Sequence, residues 1–157
     1  MTGTASAENG ELDFDQFGHG DAWALGQTII RLASERSLPI AASIWIGEQH
    51  VFHAARPGTS ADNDGWLERK AALVRRYDVS SLFTTQRLKE LGIREALPVL
   101  GLDPRVHVLS GGAVPIRVRG TSVGVAAVSG LTEEDDHALV VEAIQSTISN
   151  IAKRREG

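Results

Sequence analysis

The chain of 157 residues contains no cysteine. This absence excludes disulfide bonds, thiolate catalysis, cysteinate metal sites and covalent c-type heme attachment. The sequence also lacks an apolar run approaching the ~20 residues that a membrane-spanning helix needs, and it has no lipidation motif. We therefore expect no membrane association, and the lack of cysteine fits a cytoplasmic location.

The sequence also has no excess of positive charge. The 16 Lys and Arg residues are outnumbered by 20 Asp and Glu residues, which gives a formal net charge of -4 at pH 7. Modules that bind nucleic acid usually concentrate basic residues on one face, because the phosphate backbone dominates their affinity. We therefore expect no nucleic-acid partner.

Familiar catalytic motifs are absent too. The sequence contains no Gly-x-Ser-x-Gly elbow, no phosphate-binding loop, no His-Glu-x-x-His zinc motif and no Gly-x-Gly-x-x-Gly motif opening a helix after a strand. The acidic run at 62–64 lacks the spacing of a calcium loop and is better explained by helix capping. No catalytic residue or metal-ligand set can be assigned, so whether the chain is an enzyme stays open.

The first eleven residues differ from the rest of the chain. They have neither a basic start nor an apolar segment, so they do not form a secretory signal, and we expect a disordered leader over 1–11. The whole chain is 42% hydrophobic. Residues 12–157 are therefore predicted to form a single domain with one core.

Alternation of apolar and polar residues predicts two hairpins, and helical periodicity predicts four helices. Thr132, followed three residues later by Asp135, resembles a capping box and marks the start of the last helix. The segment 93–110 shows no clear pattern. The predicted strands cover 40–46, 50–55, 114–118 and 123–127, and the predicted helices cover 21–36, 64–77, 81–91 and a segment after Thr132.

The order of these elements predicts the fold class. Strands joined by tight turns form an antiparallel sheet, and amphipathic helices need the faces of that sheet for burial. We therefore predict an α+β domain with helices layered on a sheet.

Lys70 occupies an unexpected position in its predicted helix. Trp66, Lys70, Leu73 and Tyr77 share one apolar stripe, so Lys70 points where a core residue is expected. A buried ammonium must meet a carboxylate, carbonyl groups or an anionic ligand. The alternative is that its aliphatic stem lies along apolar surface and its charge reaches solvent. Arg69, one position round the helix, is a second candidate for contact with an anion.

His137 is a second candidate. It begins the stripe His137, Val141, Ile144, Ile148 and Ile151, which predicts that its ring faces the sheet. There the ring could ligate a metal or heme iron, act as an acid or base, or simply bond a backbone group.

His53 and Trp45 are predicted to lie near each other on one face of a hairpin. If Ile46 pairs with His50 across a three-residue turn, Ser43 lies opposite His53 and Trp45 is its diagonal neighbour on the same face. The two neighbouring rings could line a pocket for a flat ligand. A two-residue turn would shift the register and move His53 away from this position.

Several motifs resemble the heme-degrading-domain family. Its C-terminal signature is similar to residues 111–116, 124–131 and 136–137. One branch of that family consists of small intracellular proteins related to the heme-binding sensor and the glycolate-operon protein G. The motif of this branch is similar to residues 52–59 and 62–64, followed by Trp66, Arg69 and Lys70.

This resemblance implies a profilin-like, three-layer α/β/α fold with a five-stranded antiparallel sheet. The fifth strand would lie at 106–109. Relatives in the family bind heme or form ring-like assemblies, so two hypotheses follow. The chain is a small-molecule-binding domain that holds heme or another small anionic ligand through Lys70, Arg69, His53, His137 and Trp45, or it is a homo-oligomeric scaffold without catalytic activity.

Overall fold

The computed structural model describes residues 12–156, so the predicted leader over 1–11 lies outside the described residues. Five strands and four helices follow one another, with a short 3₁₀ turn at Pro98–Leu100 between the third helix and the fourth strand. The strands are β1 (Asp13–Phe14), β2 (Ala41–Ile46), β3 (Gln49–Ala55), β4 (Ala113–Val118) and β5 (Thr121–Ser129). The helices are α1 (His19–Glu35), α2 (Ala61–Tyr77), α3 (Ser81–Glu90) and α4 (Glu133–Glu156).

The sheet has the order β1-β4-β5-β2-β3. β1 runs parallel to β4, whereas the other neighbouring pairs are antiparallel. The α+β class and the five strands are confirmed, but the prediction of a purely antiparallel sheet is wrong. The profilin-like comparison stays a prediction.

The fifth strand is also not where it was predicted. β1 has two residues, too few to show an alternating pattern. The segment 106–109 is not a strand, because Asp103 organises a turn there: its carbonyl accepts from the backbone N–H groups of Val106 and His107. A strand at this position would need those groups for a ladder.

Helices cover both faces of the sheet. α1 and α4 pack on one face, where Leu25 and Ile29, both predicted to lie on the apolar stripe of α1, are fully buried. α2 packs on the opposite face through Leu67, Ala71 and Val74. α1 begins at His19, two residues before the predicted start at 21, and Asp21 in its first turn accepts a hydrogen bond from the Gly18 N–H.

The β2–β3 hairpin has a two-residue turn and a bulge. Ile46 pairs with Gln49, which is the two-residue-turn alternative, and this turn places Trp45 opposite His50. The register then shifts between Ile44 and Trp45, because β3 contains one extra residue there. Beyond this bulge Ser43 pairs with His53, as in the three-residue-turn alternative.

Candidate functional site

Lys70 lies in the interior and forms a buried ion pair. It is 2% exposed, and its Nζ donates to Asp136 Oδ2 at 3.0 Å and to the Val128 carbonyl at 3.0 Å. Asp136 is equally buried, and its Oδ1 accepts from the Leu131 N–H at 3.0 Å. The prediction that Lys70 is buried and meets a carboxylate is confirmed.

Gly112 makes room for this pair. Its φ of 130° lies in a region that favours glycine, and a Cβ there would come within 2.8 Å of Lys70 Nζ and 2.6 Å of the Val128 carbonyl oxygen. Gly112 therefore has a packing role next to the ammonium.

Burial opposes the charged form of both partners. It lowers the pKa of Lys70 and raises the pKa of Asp136, while the attraction between the two groups acts against each shift. With Asp136 and the Val128 carbonyl as its neighbours, Lys70 has the surroundings of a structural cation.

A second polar assembly lies at the β3 edge of the sheet, on the side covered by α2. The rings of Trp45 and His50 stack with centroids 4.8 Å apart and an interplanar angle of 15°. The His53 ring meets that of His50 edge-on at 5.8 Å, and its Nε2 lies 2.7 Å from Asp64 Oδ1 at the start of α2. We call Trp45, His50 and His53 the aromatic-histidine face.

Two arginines adjoin this face. The guanidinium of Arg75 lies 5.4 Å from the centroid of the Trp45 ring, and that of Arg69 lies 4.9 Å from the centroid of the Trp66 ring. Partial burial lowers the pKa of Arg75, an effect that Glu48 opposes. Beside Trp45 is an open hollow of about 430 Å³, lined by Trp45, Glu48, Glu68, Arg69, Ala72, Arg75, Arg105 and Val106.

Burial lowers the pKa of His50, and the neighbouring His53 adds to that shift. Neutral imidazole is therefore favoured at His50 near pH 7. A neutral ring keeps one nitrogen lone pair, which can accept a hydrogen bond or coordinate a metal.

His137 lies on α4, apart from the aromatic-histidine face, and its ring is not fully buried against the sheet. The buried residues of α4 are Asp136, Leu139, Val140, Ala143, Ile144 and Thr147. Of the predicted stripe, Ile144 is therefore buried, whereas its other members are half-buried. His137 is one of these half-buried residues, and burial lowers its pKa.

The five predicted site residues thus separate into three places. His53 and Arg69 lie at the edge formed by β3 and α2, beside Trp45 of β2, which is itself buried in the core under α2. Lys70 is inside, and His137 is on α4, which packs on the other face of the sheet. Sequence reasoning missed His50, Asp64, Arg75 and Asp136. The spacing of the α4 stripe could have identified Asp136, whereas the position of His50 depends on the length of the β2–β3 turn, which the sequence left open.

Residues 12–156 offer neither a cluster of metal ligands nor a helix suited to a membrane. Within that range, no three His, Asp or Glu side chains come together in an arrangement that could hold a metal ion. None of the helices in the described part is both long and apolar enough to cross a membrane.

Comparison with known proteins gives consistent matches. The family model described as "Haem degrading protein HbpS-like" matches residues 17–145. A UPF0303 protein of Streptomyces avermitilis is 42% identical over 142 residues, covering 88% of this chain and 85% of the relative.

Two solved structures share the fold at low sequence identity. The Ybr137w protein has a TM-score of 0.85 and 23% identity, covering 94% of this chain and 87% of its own. A PduOC:heme complex has a TM-score of 0.70 and 16% identity, covering 84% of this chain and 94% of its own.

The structural role of Lys70 can be tested by substitution. Lys70→Met leaves Asp136 buried without its cation, so we expect the free energy of unfolding to fall by about 3–5 kcal/mol. Lys70→Met combined with Asp136→Asn should regain part of that loss, because Asn keeps an acceptor for the Leu131 N–H without a charge. Urea denaturation measures both values, with Arg69→Met as the neighbouring control. Equal stability of the Lys70 and Arg69 variants would contradict a structural ion pair.

Proposed function

The chain belongs to the HbpS-like family of haem degrading proteins, and on that basis we propose that it binds a flat, anionic small molecule on its aromatic-histidine face. The observation that carries this proposal is the stack of Trp45 on His50, with His53 on one side and Arg75 on the other. The exposed ring of His50, supported by the buried Trp45, offers a flat surface, and arginine offers charge for carboxylates. The proposal concerns binding and includes no degradation step.

Heme is the first ligand to consider. A heme site needs a nitrogen donor for the iron, apolar contact for the ring and cations for the propionates. His50 and His53 are nitrogen donors, Arg69 and Arg75 supply the cations, and Trp45, which is 7% exposed, supports the His50 ring from behind. The kinds of residue fit the group, although Glu48 and Glu68 in the same hollow would repel a propionate. Bound heme would contribute an iron centre that accepts an electron pair.

Lys70 is not part of this proposal. Its ammonium is already bonded to Asp136 and to a backbone carbonyl, and it is 2% exposed. Arg75, which lies over Trp45, takes the role of cationic partner that the sequence suggested for Lys70.

Titration with hemin tests the proposal. We expect the absorption band of hemin to shift and to saturate at one hemin per chain, because nitrogen ligation changes the spectrum whereas loose adsorption does not saturate. His53→Ala should weaken binding by ~10-fold or more through loss of a ligating or ligand-facing group. His137→Ala, on the other face of the sheet, is the matched control and should keep the shift. Loss of the shift in the His137 variant alone would place the ligand at α4 and contradict the proposal.

A homo-oligomeric scaffold is the second candidate function. It is favoured by an apolar surface around α3, where Leu91 is 69% exposed and Val99 is 87% exposed. Next to them is a hollow of about 270 Å³, lined by Tyr77, Val79, Phe83, Thr84, Arg87, Leu88 and Leu91. Apolar patches of this kind mark association surfaces.

Light scattering after size exclusion tests the scaffold hypothesis. We expect a mass larger than one chain for the unmodified protein, and a reduced mass for Leu91→Glu, since a charge in a buried interface is costly. Trp23→Glu is the control, because Trp23 is also exposed and apolar but lies on α1. A monomer at micromolar concentration would refute the hypothesis, and dissociation by the Trp23 substitution alone would move the interface away from α3.

A further inference from the structure

His53 and Asp64 form a short contact between β3 and the first turn of α2. His53 Nε2 lies 2.7 Å from Asp64 Oδ1, and the two side chains are 35% and 48% exposed. The position of Asp64 is fixed by a capping box at the start of α2: Ser60 Oγ accepts from the Asp62 N–H, and Asn63 Oδ1 accepts from the Ser60 N–H. The carboxylate is thus presented by a rigid helix start.

The direction of the hydrogen bond follows from the chemistry of the two groups. An ionised carboxylate can only accept, so Nε2 of His53 must carry the proton that is shared with Asp64. In the neutral ring the lone pair then lies on Nδ1. Among the described residues, His53 Nδ1 has no hydrogen-bond partner, and the nearest ring is that of His50.

We propose that Asp64 is a positioning residue, which holds the His53 ring in the Nε2–H tautomer so that Nδ1 presents its lone pair to a ligand on the aromatic-histidine face. This inference rests on the proposed function and specifies its chemistry. Carboxylates commonly orient ligating histidines in this way, by fixing both the tautomer and the ring.

The presented lone pair defines the class of ligand. Nδ1 interacts with an electron-pair acceptor, which is either a Lewis-acidic metal carried by the ligand or an N–H or O–H group of the ligand. His50 is held differently: its ring stacks flat on Trp45 and bonds the Phe52 backbone, and among residues 12–156 no carboxylate bonds it. Of the two histidines, His53 is therefore the one built to contact the reactive part of the ligand.

The ligand-free protein gives the first test, by NMR of ¹⁵N-labelled histidine. We expect a hydrogen-bonded His53 Nε2–H resonance, protected from exchange with water, and an unprotonated Nδ1. Asp64→Ala should abolish the protected resonance, and Asp64→Glu should restore it. Asp62→Ala is the matched control, because Asp62 lies two residues before Asp64 and accepts from Trp66 Nε1 instead of His53. Protonation of both ring nitrogens at neutral pH, or a resonance that survives Asp64→Ala, would overturn the inference.

Titration with hemin and with metal-free protoporphyrin IX gives the second test. For whichever probe binds, Asp64→Ala should weaken binding ~10- to 100-fold, as is typical for loss of a residue that orients a ligating histidine. Asp62→Ala should leave binding unchanged. A loss confined to hemin identifies the acceptor as the metal, because hemin has no pyrrole N–H group, and a loss confined to protoporphyrin IX identifies it as a pyrrole N–H group.

The two proposals can fail separately. If the unmodified protein saturates with hemin but Asp64→Ala binds it equally well, the positioning role is wrong and the proposed function stands. If neither probe saturates, the proposed function is wrong, and the protected Nε2–H resonance alone then decides whether Asp64 orients His53.

Discussion

The ion pair between Lys70 and Asp136 is the constraint around which this domain is organised. Burying two opposite charges is costly unless their hydrogen-bonding capacity is met. Here the ammonium also donates to the Val128 carbonyl, and the carboxylate also accepts from the Leu131 N–H. These contacts join α2, the end of β5 and the start of α4 at one end of the sheet, so helices on opposite faces are fixed relative to each other.

This arrangement gives α2 an inner stripe that packs in the core and an outer stripe that faces the β3 edge. Leu67, Lys70, Ala71 and Val74 face the interior. Asp64, Glu68, Ala72 and Arg75, spaced four, four and three residues apart, face the β3 edge, where Asp64 contacts His53 and the other three line the hollow beside Trp45. Because the inner stripe is held by the ion pair, the outer stripe is presented by a rigid element, as a binding site requires.

The part of this account that could be predicted from sequence follows from periodicity. The apolar stripe of α2 predicted that Lys70 is buried, and the strand alternation predicted both hairpins. Asp136 was missed because the predicted α4 stripe began one position too far along, at His137, which exchanged a buried aspartate for a half-buried histidine.

The remaining features depend on contacts distant in sequence. The two-residue strand β1 exists because β4 offers it a partner, and the bulge in the β2–β3 hairpin restores the pairing of Ser43 with His53. The segment 93–110 packs through scattered residues such as Ala96 and Leu102, which have no periodic spacing. Local patterns cannot report such pairings, since they arise from tertiary packing.

The central claim is that the ligand occupies the outer side of α2 and β3, whereas Lys70 serves the fold. Amide chemical-shift mapping tests it most directly, with gallium protoporphyrin as a diamagnetic analogue of heme. The account predicts perturbed amides in β2 and β3 around Trp45 and His53 and along the outer stripe of α2. Perturbations centred on Gly112, Val128 and Asp136, with none at β3, would contradict it.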